Sequence, residues 1–175
     1  MKTPWALVLD DGAAITIGGL TLAERSTIIA HRAGLAVCVW GAGAIDPASD
    51  ARLQSRGVTV RRLTGPTPLE ESRDRGVVVV GPRVLLEPAV IADLASPAVQ
   101  GASSVRAVYE SGIPLVLSVP ASRIADLRAC LSIETMAAAL AGPRLLHEAP
   151  LTGAFCRRVD RAELARLAGQ FPARR

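Results

Sequence analysis

Two adjacent carboxylates are the residues with the clearest chemical potential. Asp10 and Asp11 end a continuously apolar run, Trp5-Ala-Leu-Val-Leu9, and open the turn Asp10-Asp-Gly-Ala-Ala-Ile-Thr-Ile-Gly-Gly19. An apolar run of this kind reads as a buried strand, and the acids as its polar carboxyl end. In open α/β sheets ligands sit beyond such strand ends, so this turn is where a nucleotide or phosphate is expected. Paired acids there can hold a divalent cation through hard oxygen ligands. They can equally cap the turn by accepting hydrogen bonds from their own backbone. Asp10 and Asp11 are therefore candidate Mg²⁺ ligands, with turn capping as the competing reading.

Other groups offer less. Gly41-Ala-Gly43 is half of a dinucleotide fingerprint, but it lacks the third glycine and follows the second strand rather than the first. His147 adjoins Glu148, yet neighbours in a strand face opposite sides, and His31 falls on a helix; both histidines read as ordinary surface or core residues. Ser103-Ser104 lacks a Gly-x-Ser-x-Gly elbow and leads into a strand instead of a helix. Arg106 and Glu110 read as a surface charge pair worth little. Cys38, Cys130 and Cys156 are odd in number, far apart and without CxxC spacing. That argues against zinc and for buried thiols in a reducing compartment.

The elements that must position these groups follow from periodicity and turn chemistry. Trp5–Leu9 is a strand, and Gly18-Gly19 turns the chain into a helix over about 22–33, with Leu22, Ile29 and Ala33 on one face. Leu35–Trp40 is the second strand. Asp46-Pro47 caps a short helix ending at Gly57, and a third strand runs from Val58 towards Leu63. Thr67-Pro-Leu-Glu70 is a capping box opening a polar surface helix. Val77–Val80 is a buried strand, Val84–Leu86 continues extended, and Pro88 opens a helix with Val90, Ile91 and Leu94 inward. Ser103–Tyr109 and Pro114–Val119 pair across the Ser111-Gly112 turn. Then come a helix with Ile124, Leu127 and Leu131 on one face, a helix over 133–141 capped by Ser132, late strands over 144–148 and 152–158, and a final helix opened by Asp160 and Glu163. The expected fold class is α/β: a three-layer α/β/α arrangement with a mixed, mostly parallel sheet covered on both faces.

Composition agrees. The 175 residues are 50% hydrophobic but only 3% aromatic, so the core is aliphatic, as buried parallel strands require. Length argues one domain over 1–171, with a frayed basic tail at 172–175. Lys2 is the only lysine, every other cationic side chain is arginine, and alanine is abundant; this reads as a bacterial-type composition and removes lysine-dependent chemistry except at the terminus. The net charge is +4, but the basic residues are dispersed. The densest pairs, Arg61–Arg62 and Arg157–Arg158, have no clustered aromatics for base stacking, so nucleic acid is not an expected partner. No apolar run is long enough to span a bilayer and no signal peptide opens the chain. The expected location is cytoplasmic, with no direct membrane insertion.

A family resemblance emerges from particular pieces. They are Ala6-Leu-Val-Leu9; Gly19-Leu-Thr-Leu-Ala-Glu-Arg25 leading into a helix; Ala33-Gly34-Leu35; Gly65-Pro-Thr-Pro-Leu69; and Val77-Val-Val-Val-Gly81 followed by Leu86-Glu-Pro88. Together they resemble nucleotidyltransferases of the nucleotide-diphospho-sugar transferase (GT-A) fold. The likeness is to the cytidylyltransferase-like domain found ahead of CDP-alcohol phosphatidyltransferases. The resemblance implies nucleotide contacts from Asp11, Gly12, Gly18, Gly19, Arg25, Gly65 and Thr67, and an active enzyme here would require Asp10 or Asp11 to hold Mg²⁺. It also implies a membrane phosphatidyltransferase, or another protein, as partner. Two elements depart from that family. Its first turn carries an arginine and a Pro-Lys pair that neutralise charge at the α-phosphate; here the turn is short and has no cation. Its Mg²⁺-binding aspartate after the strand matching Val77–Val80 is replaced by Gly81-Pro82. The expectation is a degenerate, non-catalytic pseudoenzyme acting as an accessory or interaction domain. The alternative is an active Mg²⁺-dependent nucleotidyltransferase of cytidylyltransferase type, acting on a sugar or polyol phosphate, with Arg25 and Arg83 replacing the lysine. Receiver domains and haloacid-dehalogenase phosphatases also use paired acids at a strand end. The first needs a later aspartate and lysine, the second an Asp-x-Asp that Gly12 interrupts, so both are excluded.

Overall fold

The computed structural model describes residues 2–41, 46–63, 74–140, 147–148 and 154–160. In chain order the strands are β1 (Trp5–Asp10), β2 (Thr16–Ile17), β3 (Leu20–Thr21), β4 (Ala36–Gly41), β5 (Val60–Leu63), β6 (Val77–Val80), β7 (Val84–Leu86), β8 (Arg106–Glu110), β9 (Ile113–Val119), β10 (His147–Glu148) and β11 (Cys156–Arg158). The helices are α1 (Leu22–Arg32), α2 (Pro47–Gln54), α3 (Pro88–Leu94), α4 (Pro97–Gln100) and α5 (Ile133–Leu140), with a 3₁₀ helix at Ala121–Leu127.

Alternation along β1 and β6 sets the architecture. Leu7, Leu9, Val77 and Val79 enter one apolar cluster, whereas Ala6, Val8, Val78 and Val80 enter another. Both strands are thus buried on both faces, as the centre of a parallel sheet must be. The first cluster is closed by Ile124 and Leu127 of the 3₁₀ helix and by Ile133, Met136 and Leu140 of α5. The second is closed by Ala30 of α1 and by Val90, Ile91 and Leu94 of α3. The main sheet has the order β10-β8-β9-β6-β1-β4-β5. Within it only β9 runs antiparallel to its neighbours. The expected mixed, mostly parallel α/β/α arrangement is what forms. Among the described residues no helix is long and apolar enough to cross a membrane.

Helix α1 is fixed at its start by a capping box. Thr21 Oγ1 accepts from the Glu24 N–H at 3.1 Å, and Glu24 Oε2 accepts from the Thr21 N–H at 3.0 Å, answering two of the donors that a helix start leaves open. Glu24 is only 2% exposed. Its carboxylate also accepts from Arg52 of α2, from Nη2 at 2.6 Å and from Nε at 3.1 Å, which clips α2 to α1.

Several local features differ from the sequence expectation; Ala33, expected on the inward face of the first helix, is exposed at its C-cap, and β5 begins at Val60 rather than Val58. Leu131 is 73% exposed: the 3₁₀ helix ends before it, and Leu131 lies in the link to α5 instead of on a helix face. The β8 strand begins at Arg106, not at Ser103. The single-turn helix α4 was not anticipated, being too short for periodicity to reveal; the Ser96-Pro97 pair that opens it was the available signal. The capping box at Thr67 and most of the final helix lie outside the described residues.

Burial alone would push the Glu24 carboxyl up. The Arg52 hydrogen bonds, with help from Ser49 and the Thr21 N–H, outweigh it and hold the group below its ordinary value of 4.5. A carboxylate lowered in the folded state adds stability that is complete above its unfolded pKa and is lost as pH falls through its folded one. Glu24→Gln is expected to cost about 1–3 kcal/mol at neutral pH, below the usual cost of breaking a buried pair because Arg52 keeps access to water. It should also flatten the loss of stability below pH 4.5. Urea denaturation at neutral and acid pH checks both, and an unchanged acid sensitivity in the variant would contradict the assignment.

Candidate functional site

The connections after β1 lead to β4 and then β5 on one side of it, whereas β6 returns to its other side. The connections therefore reverse between β1 and β6. The crevice beyond the carboxyl ends of those two strands is where open α/β sheets bind ligands. Here it is lined by Leu9, Asp10, Asp11, Ala13, Ile15, Leu22, Ala23 and Arg83, around a cavity of about 10 Å³. That is room for about one water molecule.

The loop from Asp11 to Thr21 fills the crevice from above. Gly18 and Gly19, with φ of 61° and 78°, supply the two left-handed residues that a tight hairpin turn demands, and so close the β2–β3 hairpin. Ile15, 6% exposed, packs with Leu22, Leu85 and Val159, and Ala13, Ile17 and Phe155 surround that cluster. Arg25 braces the hairpin from α1: its Nη1 donates to the Ile17 carbonyl at 3.2 Å, and a Cβ at Gly18 would lie 3.8 Å from the same nitrogen.

Both carboxylates turn inward onto their own loop. Asp10 Oδ1 accepts from the Gly12 N–H at 2.9 Å, and Asp11 Oδ1 from the Ala13 N–H at 3.0 Å. Asp11 Oδ2 accepts from Arg83 Nε at 2.6 Å, an ion pair that spans the mouth of the crevice from the end of β1 to the turn after β6. Arg83 holds a left-handed φ of 58°, which costs an L-residue about 1–2 kcal/mol. Its carbonyl accepts from the Val159 N–H at 2.7 Å, which ties the end of β11 to the same turn.

The structure thus gathers Asp10, Asp11 and Gly12 at the crevice with Arg83. It places Gly18, Gly19 and Arg25 together at the hairpin above. Gly65 and Thr67 lie outside the described residues. The sequence reading missed the packing role of Ile15; two isoleucines at alternate positions in an otherwise small and polar turn were the signal. Among the described residues no group of three or more His, Cys, Asp or Glu is arranged to hold a metal ion. Elsewhere, burial and then the nearby Glu110 push the Cys156 thiol up to about 12, so at neutral pH it is not a thiolate nucleophile.

The sheet order and the crevice at its reversal define an α/β domain of the nucleotidyltransferase-like fold. Among solved structures the chain is similar to the crystal structure of 4-diphosphocytidyl-2C-methyl-D-erythritol synthase. The TM-score is 0.56 and the identity 12%, over 96% of this chain and 98% of that one. At that identity the likeness is one of fold. No family model matches the chain, and no curated protein does.

The left-handed backbone at Arg83 yields a paired test. Arg83→Ala keeps the strained φ and loses the exposed ion pair, worth at most about 1 kcal/mol. Arg83→Gly loses the same pair but relieves the strain. The glycine variant is expected to be the more stable of the two by about 1 kcal/mol. Urea denaturation midpoints measure the gap, and a less stable glycine variant would mean that the strain is not present.

Proposed function

We propose that this chain is a degenerate nucleotidyltransferase-like domain that carries out no nucleotidyl transfer. It serves as an accessory or interaction domain in phospholipid or polyol-phosphate metabolism. The observation that carries this reading is the Asp11–Arg83 ion pair across the crevice. Stabilising charge on a transferring phosphoryl group needs donors that are preorganised and aimed at it. The guanidinium nearest the strand ends is already neutralised by the chain's own carboxylate. The Gly12 and Ala13 amides are committed to Asp10 and Asp11.

The donor set also does not fit Mg²⁺. Both oxygens of Asp11 are engaged, which leaves Asp10 Oδ2 as the carboxylate oxygen of this turn without a partner among the described residues. Gly81 follows β6 where the resembling family carries its aspartate. A Cβ there would meet the Leu115 carbonyl oxygen at 3.0 Å and Ile133 Cδ1 at 3.2 Å, so a side chain has little space. The resemblance points to a membrane phosphatidyltransferase as the partner, or to another protein.

Thermal denaturation with CTP, ATP, GTP and UTP, each with and without Mg²⁺, tests the reading. A ligand at a hundredfold over its Kd stabilises by about 2.7 kcal/mol, a shift of several degrees for a domain of this size. The expected result is no shift with any nucleotide at millimolar concentration, and no pyrophosphate release with polyol or sugar phosphates. A selective, Mg²⁺-dependent shift that Asp10→Ala/Asp11→Ala removes would replace this reading with the active cytidylyltransferase-type enzyme.

A further inference from the structure

On the reading just given, we infer that Asp11 is an internal stand-in for an oxyanion, and that Arg83 is a receptor for small phosphate groups which Asp11 holds closed. The Asp11 carboxylate takes what a bound oxyanion would take: a backbone N–H from Ala13 at 3.0 Å on one oxygen and the Arg83 Nε–H at 2.6 Å on the other. A guanidinium carries five N–H donors in a fixed fork. Only Nε of Arg83 is used among the described residues, and the side chain is 39% exposed. The Nη edge, which matches two phosphate oxygens at once, therefore stands open at the crevice mouth. The backbone beneath it is set by the Val159 N–H on the Arg83 carbonyl and by the left-handed turn, so the fork is positioned before any ligand arrives.

The closure is weak. Asp11 is 33% exposed in the pair, and ion pairs this accessible bias an equilibrium by only about fivefold or less. A carboxylate of that strength competes with an incoming anion without sealing the site. A phosphate dianion carries more charge than the carboxylate and can take both Nη donors. The 10 Å³ cavity is too small for it, so the anion sits at the mouth on the Nη donors, beside the Asp11 carboxylate on Nε, whose charge opposes it. The ligand class is inorganic phosphate or a small phosphate monoester.

Titration of the intact chain with inorganic phosphate at low ionic strength, followed by calorimetry, tests this. Asp11→Ala and Asp11→Asn are each expected to bind phosphate more tightly than the unaltered protein, by up to about fivefold. The asparagine variant keeps the side-chain shape and an acceptor for the Ala13 N–H, so it reports the charge alone. The gain should vanish in Asp11→Ala/Arg83→Gly. Equal phosphate affinity in the unaltered protein and both Asp11 variants would overturn the inference. So would a gain that survives the loss of Arg83. Mg²⁺-nucleotide binding by the unaltered protein would overturn the functional reading and leave this comparison intact, so the two failures are distinct.

Discussion

Glu24 is a carboxylate almost wholly removed from water, and such a charge is tolerated only where its oxygens are answered. The answers come from two directions. The Thr21 N–H lies at the end of β3, and Arg52 projects from α2 with two donors, Nε and Nη2. Meeting them fixes the start of α1, the approach of α2 and the point at which the Asp11–Thr21 loop enters α1. With that exit held, the loop has few ways to run. Gly18 and Gly19 fold it back as a hairpin, Arg25 of the same helix holds the Ile17 carbonyl, and Ile15 falls into the apolar cluster beside Leu22. The geometry of the crevice thus depends on a charge buried outside it.

A strand end presents polar groups that must find partners, and a chain can meet them with a ligand or with itself. Here it meets them with itself. Asp10 and Asp11 each accept from an amide two residues on, and Asp11 adds a guanidinium from across the sheet. Both acids cap their own turn, and Asp11 also joins the end of β1 to the turn after β6. The same pattern recurs at Glu110, whose Oε2 accepts from the Arg158 N–H at 2.8 Å and so attaches β11 to the end of β8. Asp10, Asp11, Glu24 and Glu110 thus each give at least one acceptor to the chain's own backbone.

What could be read from sequence follows the range of each interaction. The four valines of β6, the aspartate-proline start of α2 and the Ser111-Gly112 turn are local signals, and each produced the element it announced. The strand–helix–strand opening gave the sheet class and the place of the crevice. Pairings between distant residues were not legible. Asp11 meets Arg83 across 72 positions and Glu24 meets Arg52 across 28; no spacing rule links either pair. The buried contact of Gln100 Nε2 with Ser118 Oγ at 2.7 Å is of the same kind, since neither residue stands out in sequence as a core polar group. Arg83 was visible as a cation near the site, but its neutralisation by Asp11 is a fact of three-dimensional placement.

The energetics explain how such a fold persists while its crevice is occupied by its own side chains. Val77, Val78, Val79 and Val80 are each 0% exposed, and burying a valine side chain is worth about 1.5–3 kcal/mol. The Asp11–Arg83 pair is worth about 1 kcal/mol at most. Stability therefore resides in the two apolar clusters flanking β1 and β6, a layer below the strand ends, and is nearly independent of the groups at the mouth. A substitution in the turn can remove or invert its charge without threatening the sheet, and a substitution in the sheet cannot be rescued by the turn. Fold and activity are held by separate sets of residues. The fold is thus compatible with a first turn that answers its own polar groups.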